Sequence, residues 1–367
     1  MTDDTTTPPL FQILSPEGRV APDSPLPLEA EQLERAYREM LLLRRLDERL
    51  TALQRQGRIG AHLSTLGQEV VPVAAALVTR QTDWVFPAFR ETGVSLVRGF
   101  PLWRYLAQVF GTRDDIQCGR QMPGHQSSRG VNQVAWSSCV GTQLPHAVGA
   151  AWAARRRGDD MVSLAFLGDG ATSSGDFHAA LNFAAVLGAP CVFVCQNNQY
   201  AVSTAFDRQT AAGSIAIKGR AYAVPAERVD GNDVLAVCQV LEATVNACRK
   251  GGGPYLVEAV TYRLGAHSTS DDPTRYRSAA EVAEWTRLDP LTRFESYLRR
   301  CGRVDDGRLA EWEGWVKQTI DEVVSAVEVQ PRPDRRTLFD DVFARLPWHL
   351  AEQRAELLGV PAHRPGG

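Results

Sequence analysis

The sequence predicts an α/β fold with a mostly parallel central sheet flanked by helices. Two observations carry this. Between residues 161 and 263, short apolar runs alternate with stretches of helical spacing in the order strand, helix, strand, helix, strand, the pattern of strands joined by crossover helices. Right-handed crossovers then bring the connecting loops to one edge of the sheet, where ligands commonly bind.

The elements follow in order. Pro8, Pro9, Pro16, Pro22, Pro25 and Pro27 bar a long helix from residues 1–27, which read as an extended arm. From Leu28 onward, Leu33, Tyr37, Met40, Leu43, Leu46, Leu50 and Leu53 recur every three or four positions. This predicts a long amphipathic helix whose charged face, with Arg44, Arg45, Asp47 and Glu48, meets solvent. "VPVAAALV" suits a buried helix, "DWVFPAF" a short strand or turn, and "PLWRYLAQVFG" another helix. Residues 118–143 are polar and rich in glycine and serine, and a loop of this length inside a compact chain often serves a site. A helix ending near Gly158 follows, then strand 161–167, helix 175–187, strand 191–196, helix 232–249, strand 255–263 and helical residues 280–330. The expected organisation is an arm at 1–27, one domain at 28–345 and a tail at 346–367 that ends in a flexible "PAHRPGG".

With 40 basic and 43 acidic residues the net charge is −3, so there is no general attraction to nucleic acid or an anionic membrane. The beginning "MTDDTTTPP" lacks the pattern of a secretory signal, and no run of about 18 apolar residues occurs; the expected location is the cytoplasm. Seven scattered cysteines argue against a disulfide framework, and Cys191 and Cys195 in "PCVFVCQ" read as buried structural thiols.

The stretch "LGDGATSSGDF", from Leu167, looks at first like a glycine-rich nucleotide loop, because Gly168 and Gly170 let backbone amides approach a phosphate. Asp169 between them contradicts that reading, since a carboxylate repels a pyrophosphate unless a cation intervenes. Mg²⁺ resolves the conflict by bridging a carboxylate to a diphosphate through hard oxygen ligands. One helix and one strand later, "QNNQYAVS" offers the side-chain oxygen of Asn198 and the carbonyl of Tyr200 as further ligands at the same sheet edge.

With 26 residues between Gly170 and Asn197, "GDGATSSGDFHAALNFAAVLGAPCVFVCQNN" is similar to the thiamine diphosphate motif. Over residues 28–330 the chain resembles the α subunit of the thiamine-diphosphate-dependent E1 component of 2-oxo acid dehydrogenases, above all the branched-chain branch. The resemblance implies a thiamine-diphosphate-binding fold in which Asp169, Asn198 and the Tyr200 carbonyl hold Mg²⁺ and Gly170 and Ala171 lie at the cofactor. It places Arg90, in "VFPAFRETG", on the diphosphate, beside Phe89 where relatives carry a tyrosine. Ser138 and Val140, in "SSCVGTQ", fall at the aminopyrimidine; Ser137, Thr142 and Gln143 resemble part of a monovalent-cation site in some relatives, with turn stabilisation an equal reading.

In "YRLGAHSTSDDPTRYRS" the resemblance has Arg263 stabilise the loop or approach the phosphate end and makes His267 the catalytic residue, an imidazole that can donate to a phosphate or developing oxyanion and move a proton near neutral pH. His125, in "RQMPGH", is open between channel and loop support, while His62, His146 and His178 read as structural. Two departures stand out: Gln196 where some relatives have arginine, and Ser174 where an acidic residue is common. In this family the glutamate that activates the aminopyrimidine comes from a β subunit, and Glu69 is not its counterpart. The resemblance therefore implies an α₂β₂ heterotetramer with an E1 β subunit, a lipoylated E2 that accepts the acyl group, and oxidative decarboxylation of branched-chain 2-oxo acids, with a pyruvate or acetoin dehydrogenase as the alternative.

Overall fold

Apolar periodicity sets most of the element boundaries in the computed structural model, which describes residues 7–21, 24 and 26–359. The first half of the chain contains α1 (Ala30–Arg55), α2 (Val70–Val78), β1 (Trp84–Phe86), α3 (Thr92–Val97), α4 (Leu102–Phe110) and α5 (Gln143–Arg157). Next come β2 (Ser163–Gly168), α6 (Gly175–Leu187), β3 (Cys191–Asn197), a small hairpin of β4 (Tyr200–Ala201) and β5 (Thr204–Ala205), and α7 (Phe206–Gln209). The remainder is β6 (Ala226–Asp230), α8 (Val234–Ala247), β7 (Tyr255–Val260), α9 (Ala279–Thr286), α10 (Pro290–Arg300), α11 (Asp306–Glu328) and α12 (Trp348–Gly359). Helices α5 and α6 stop at Gly158 and Gly188, whose φ values of 76° and 56° suit glycine.

The main sheet has the order β1-β2-β3-β7-β6 and every neighbouring pair is parallel. Its strands are covered on both faces, and their period of two sorts side chains into two cores. Leu164, Phe166, Val192, Val194 and Val257 join the core built with α1, α2, α8, α10 and α11. Ala165, Leu167, Phe193 and Leu256 join the core under α5 and α6, together with Cys191 and Cys195. Burial pushes both thiols well up, as befits packing residues.

Four regions differ from the sequence reading. Strand β6, "AERVD", is an edge strand with partly exposed Ala226 and Arg228 and exposed Glu227, so it carries no apolar run to detect. The β4–β5 hairpin is only two residues a side. Residues 348–359, read as tail, form helix α12, whose residues are not buried; "PAHRPGG" lies outside the described residues. The charged side of α1 is not all at the surface: Arg44 and Asp47 are 9% and 4% exposed. Each is buried because it has partners. Arg44 donates to both Glu69 oxygens (2.5 and 3.1 Å) and to Asp289 (2.8 Å), while Asp47 binds the turn at residues 62–65.

The described part of the arm runs along the sheet edge. Phe11 bridges in parallel to Val229, its N–H donating to the Arg228 carbonyl at 2.8 Å and its carbonyl accepting from Asp230 N at 3.0 Å, which covers the open edge of β6. Asp233 anchors the next two residues. One carboxylate oxygen accepts from the backbone N–H groups of Ile13 (2.7 Å) and Leu14 (2.6 Å), and the other caps α8 through Leu235 and Ala236 N–H, each at 3.1 Å. Replacing Asp233→Ala removes a helix cap worth about 1 kcal/mol and leaves the Leu14 N–H buried without an acceptor, at about 1–3 kcal/mol. The expected loss is about 2–4 kcal/mol, measured as a shift of the urea unfolding midpoint.

Candidate functional site

Because all five strands point the same way, the segments following four of them meet at one sheet edge. Arg90 follows β1, Asp169 follows β2, Asn198 follows β3, and Arg263 and His267 follow β7. Phe89, Ser138, Val140, Gly170, Ala171 and Tyr200 line the same cavity of about 620 Å³ as those five residues.

At its centre two guanidinium groups share one imidazole nitrogen. Arg90 Nη2 lies 3.3 Å and Arg263 Nη1 3.4 Å from His267 Nδ1. Arg90 also donates to the carbonyls of Ser64 and His267 (3.0 Å for the latter). Arg263 donates to the Val202 carbonyl (2.7 Å), the Tyr276 hydroxyl (2.9 Å) and the Tyr200 carbonyl (3.4 Å). An arginine has only donors, so His267 Nδ1 accepts and Nε2 carries the hydrogen. Burial, then the charges of Arg90 and Arg263, push the His267 ring down to about 4. In this arrangement His267 is a neutral ring whose Nε2–H is available as a donor. Burial and the neighbouring Arg263 likewise push Arg90 down to about 10.

Opposite this positive pair lies the acidic end. Asp169 is 1% exposed, and burial raises its carboxyl above the ordinary range, partly offset by Gln209, whose amide donates to Oδ2 at 2.6 Å. Asn198 donates to Gln68 Oε1 at 2.9 Å, and its own side-chain oxygen accepts from Tyr200 N at 3.3 Å. Gly170 serves packing more than phosphate approach: a Cβ there would lie 2.6 Å from the Ala201 side chain in the hairpin. Phe89 packs edge-on to His267 with ring centroids 5.9 Å apart and tilted against Trp136 at 6.0 Å. Ser138 and Val140 are exposed at the mouth, where Ser138 Oγ is 3.3 Å from His125 Nε2.

The residues fit a magnesium diphosphate. Arg263 Nε and Gln209 Oε1 are buried without a hydrogen-bond partner, two guanidiniums share one neutral ring nitrogen, and the buried Asp169 carboxylate lines the same cavity. Among the described residues no three His, Cys, Asp or Glu side chains form a metal cluster. One carboxylate, one amide oxygen and one carbonyl make only half an octahedron, leaving positions for phosphate oxygens and water.

Sequence reasoning missed the residues behind these. Glu91 accepts from Ala88 N (2.8 Å), Arg90 N (3.3 Å) and the Gln196 amide, and burial pushes its carboxyl up to about 7. It fixes the Phe89–Arg90 turn to the end of β3; nothing in "FRETG" signals this, because its partner is 105 residues away. Glu69, held by Arg44 and 0% exposed, is structural.

The His267 environment has a measurable consequence. The folded ring titrates near 4 and an unfolded histidine near about 6.5, so between these values the unfolded chain binds more protons. The stability contributed by the neutral ring is present above about pH 6.5 and lost as the pH falls toward 4. Nitrogen-15 NMR of labelled histidine should show His267 as a neutral Nε2–H ring from pH 8 down to pH 5; an imidazolium signal at pH 6 would contradict the geometry.

The family model described as "Dehydrogenase E1 component" matches residues 37–336. The chain is 45% identical over 336 residues to the 3-methyl-2-oxobutanoate dehydrogenase subunit alpha of Mycobacterium tuberculosis (strain ATCC 25618 / H37Rv), covering 90% of this chain and 88% of the relative. It is 38% identical over 351 residues to the mitochondrial 2-oxoisovalerate dehydrogenase subunit alpha of Homo sapiens (95% and 79% covered) and 38% identical over 347 residues to subunit alpha 2 of Arabidopsis thaliana (94% and 74%). A chain matched over most of its length by that model, with relatives at this identity, belongs to the dehydrogenase E1 component family.

Proposed function

We propose that the chain is the E1 α subunit of a branched-chain 2-oxo acid dehydrogenase, acting with an E1 β subunit to decarboxylate the substrate oxidatively and pass the acyl group to a lipoylated E2. Family membership carries thiamine diphosphate dependence. The observation behind the site assignment is the meeting of Arg90, Arg263, Asp169 and Asn198 at one sheet edge. The relatives named for 2-oxoisovalerate and 3-methyl-2-oxobutanoate support the substrate class.

Thiamine diphosphate, when bound, supplies the nucleophilic carbon and the electron sink for decarboxylation. The chain's own residues do the holding. Arg90 and Arg263 present charged donors that suit phosphate oxygens. Asp169, Asn198 and the Tyr200 carbonyl hold Mg²⁺, which requires Arg263 to give up its 3.4 Å contact to that carbonyl. His267 keeps its proton on Nε2 and offers it as a donor to an anionic oxygen in the cavity, while Phe89 and Trp136 exclude water from that side. The backbone around Ser138 and Val140 supports the aminopyrimidine at the mouth, where a β subunit contributes the activating glutamate.

The test is co-expression with a β partner. The assembly should turn over the 2-oxo acids derived from valine, leucine and isoleucine in preference to pyruvate, with strict dependence on thiamine diphosphate and Mg²⁺; preference for pyruvate would overturn the substrate assignment. Asp169→Ala in the same assembly should weaken thiamine diphosphate/Mg²⁺ binding about 30-fold or more by calorimetry, equivalent to about 2 kcal/mol, with the melting temperature of the cofactor-free protein little changed, because the buried carboxylate is lost together with its hydrogen bond from Gln209.

A further inference from the structure

A second histidine lines the cavity, and its environment is the reverse of that of His267. His62 Nε2 lies 2.9 Å from Asp47 Oδ1. Asp47 also accepts from Ser64 Oγ (2.8 Å), Thr65 N (2.6 Å) and Thr65 Oγ1 (3.2 Å). Burial opposes ionisation of Asp47, but the hydrogen bond and charge of His62, with the Thr65 and Ser64 donors, hold its carboxyl below the ordinary range. An ionised carboxylate only accepts, so His62 Nε2 carries hydrogen and Asp47 fixes the ring's orientation. His62 Nδ1 has no hydrogen-bond partner among the described residues, and the ring borders the cavity.

The surroundings define what would meet that nitrogen. Leu46 and Leu50, which flank Asp47 on α1, line the cavity with Tyr105 of α4, and Tyr105 is near enough that Asp47 adds to the effect of burial in raising its hydroxyl. One oriented polar group against an apolar wall suits a small amphipathic acid. Of the phosphate-binding groups, those on the segments after β2, β3 and β7 make no hydrogen bond to His62 or Asp47, while Arg90, after β1, adjoins this wall by donating to the Ser64 carbonyl.

We propose that His62, oriented by Asp47, contacts the substrate, its Nδ1–H donating to the carboxylate of the 2-oxo acid while Leu46, Leu50 and Tyr105 take the alkyl chain. Donation from Nδ1 as well as Nε2 takes up one proton from solvent as the substrate binds, which sets the ring between two carboxylates in a charge-assisted arrangement. This rests on the 2-oxo acid dehydrogenase reading above, but not on the branched-chain preference, because every 2-oxo acid has the carboxylate.

The experiment uses the α/β assembly loaded with thiamine diphosphate and Mg²⁺. His62→Gln and His62→Leu should raise KM about tenfold, by the same factor for pyruvate and for the valine-derived acid, with kcat changed less than about twofold; a tenfold change corresponds to about 1.4 kcal/mol. Calorimetric binding of unreactive 3-methylbutanoate should fall by a similar factor with cofactor affinity unchanged, and His62→Gln, whose amide can still donate to Asp47, should keep the melting temperature better than His62→Leu, which leaves that buried carboxylate one donor short. An unchanged KM, a fall in kcat alone, unequal factors for the two acids, or a tenfold loss of cofactor affinity would each overturn the proposal, the last by showing that His62 meets a phosphate instead. Should the unsubstituted assembly prefer pyruvate, the branched-chain reading fails while the His62 test proceeds on pyruvate.

Discussion

Two buried cations sharing one neutral imidazole are the constraint around which the site is organised. Arg90 and Arg263 are 4% and 0% exposed, and like charges this close and this dry repel strongly unless their donors are used or an anion joins them. The fold satisfies most of those donors with carbonyls of Ser64, Tyr200, Val202 and His267. That keeps both side chains in place before a ligand arrives, so little reorganisation is needed when a diphosphate does. The loop carrying Arg263 and His267 is itself pinned by Arg277, which donates to the Arg263, Leu264 and Gly265 carbonyls.

The two departures from the family motif make sense in this frame. Gln196 is directed at Glu91 and away from the cavity, so its loss of charge relative to arginine is absorbed by a carboxyl that burial already pushes up to about 7. A neutral amide beside such a group avoids burying a full ion pair. Ser174 caps α6 by accepting from Phe177 N at 3.3 Å, and Gly141 comes so near that a Cβ there would lie 2.5 Å from Ser174 Oγ. A longer acidic side chain at 174 would need the 118–143 loop to move.

Much of this layout was legible in the sequence because the strands are apolar and their ends carry the chemistry. From "LAFLGDG" and "VFVCQNN" the continuous apolar run and the polar tip could be read together, and the alternation of strand and helix placed Asp169 and Asn198 on one edge. Strand β6 could not be read, since an edge strand half in solvent has no apolar signature. Asp47 and Arg44 were assigned to solvent because a helix pattern ranks faces by average polarity and cannot see that a turn at 62–65 or Glu69 folds back over them. His62 was read as structural for the same reason: its partner is 15 residues away on a neighbouring element.

Beside the buried charge of the cavity, the molecule carries an exposed apolar surface. Val140 at the cavity mouth is 56% exposed, and on the adjoining α5–α6 face Trp152, Phe183 and Val186 are 39%, 57% and 74% exposed. Single exposed apolar residues are ordinary, but a group beside a cavity mouth marks a surface that association covers. The phosphate end needs buried charge and is built wholly from strand ends within the chain. The cavity mouth at Ser138 and Val140 is exposed, and the buried Glu69 and Glu91 are held elsewhere, Glu69 by Arg44 and Glu91 by its own turn. A β subunit, which the family assignment implies as a partner, would find on this side an apolar face suited to burial.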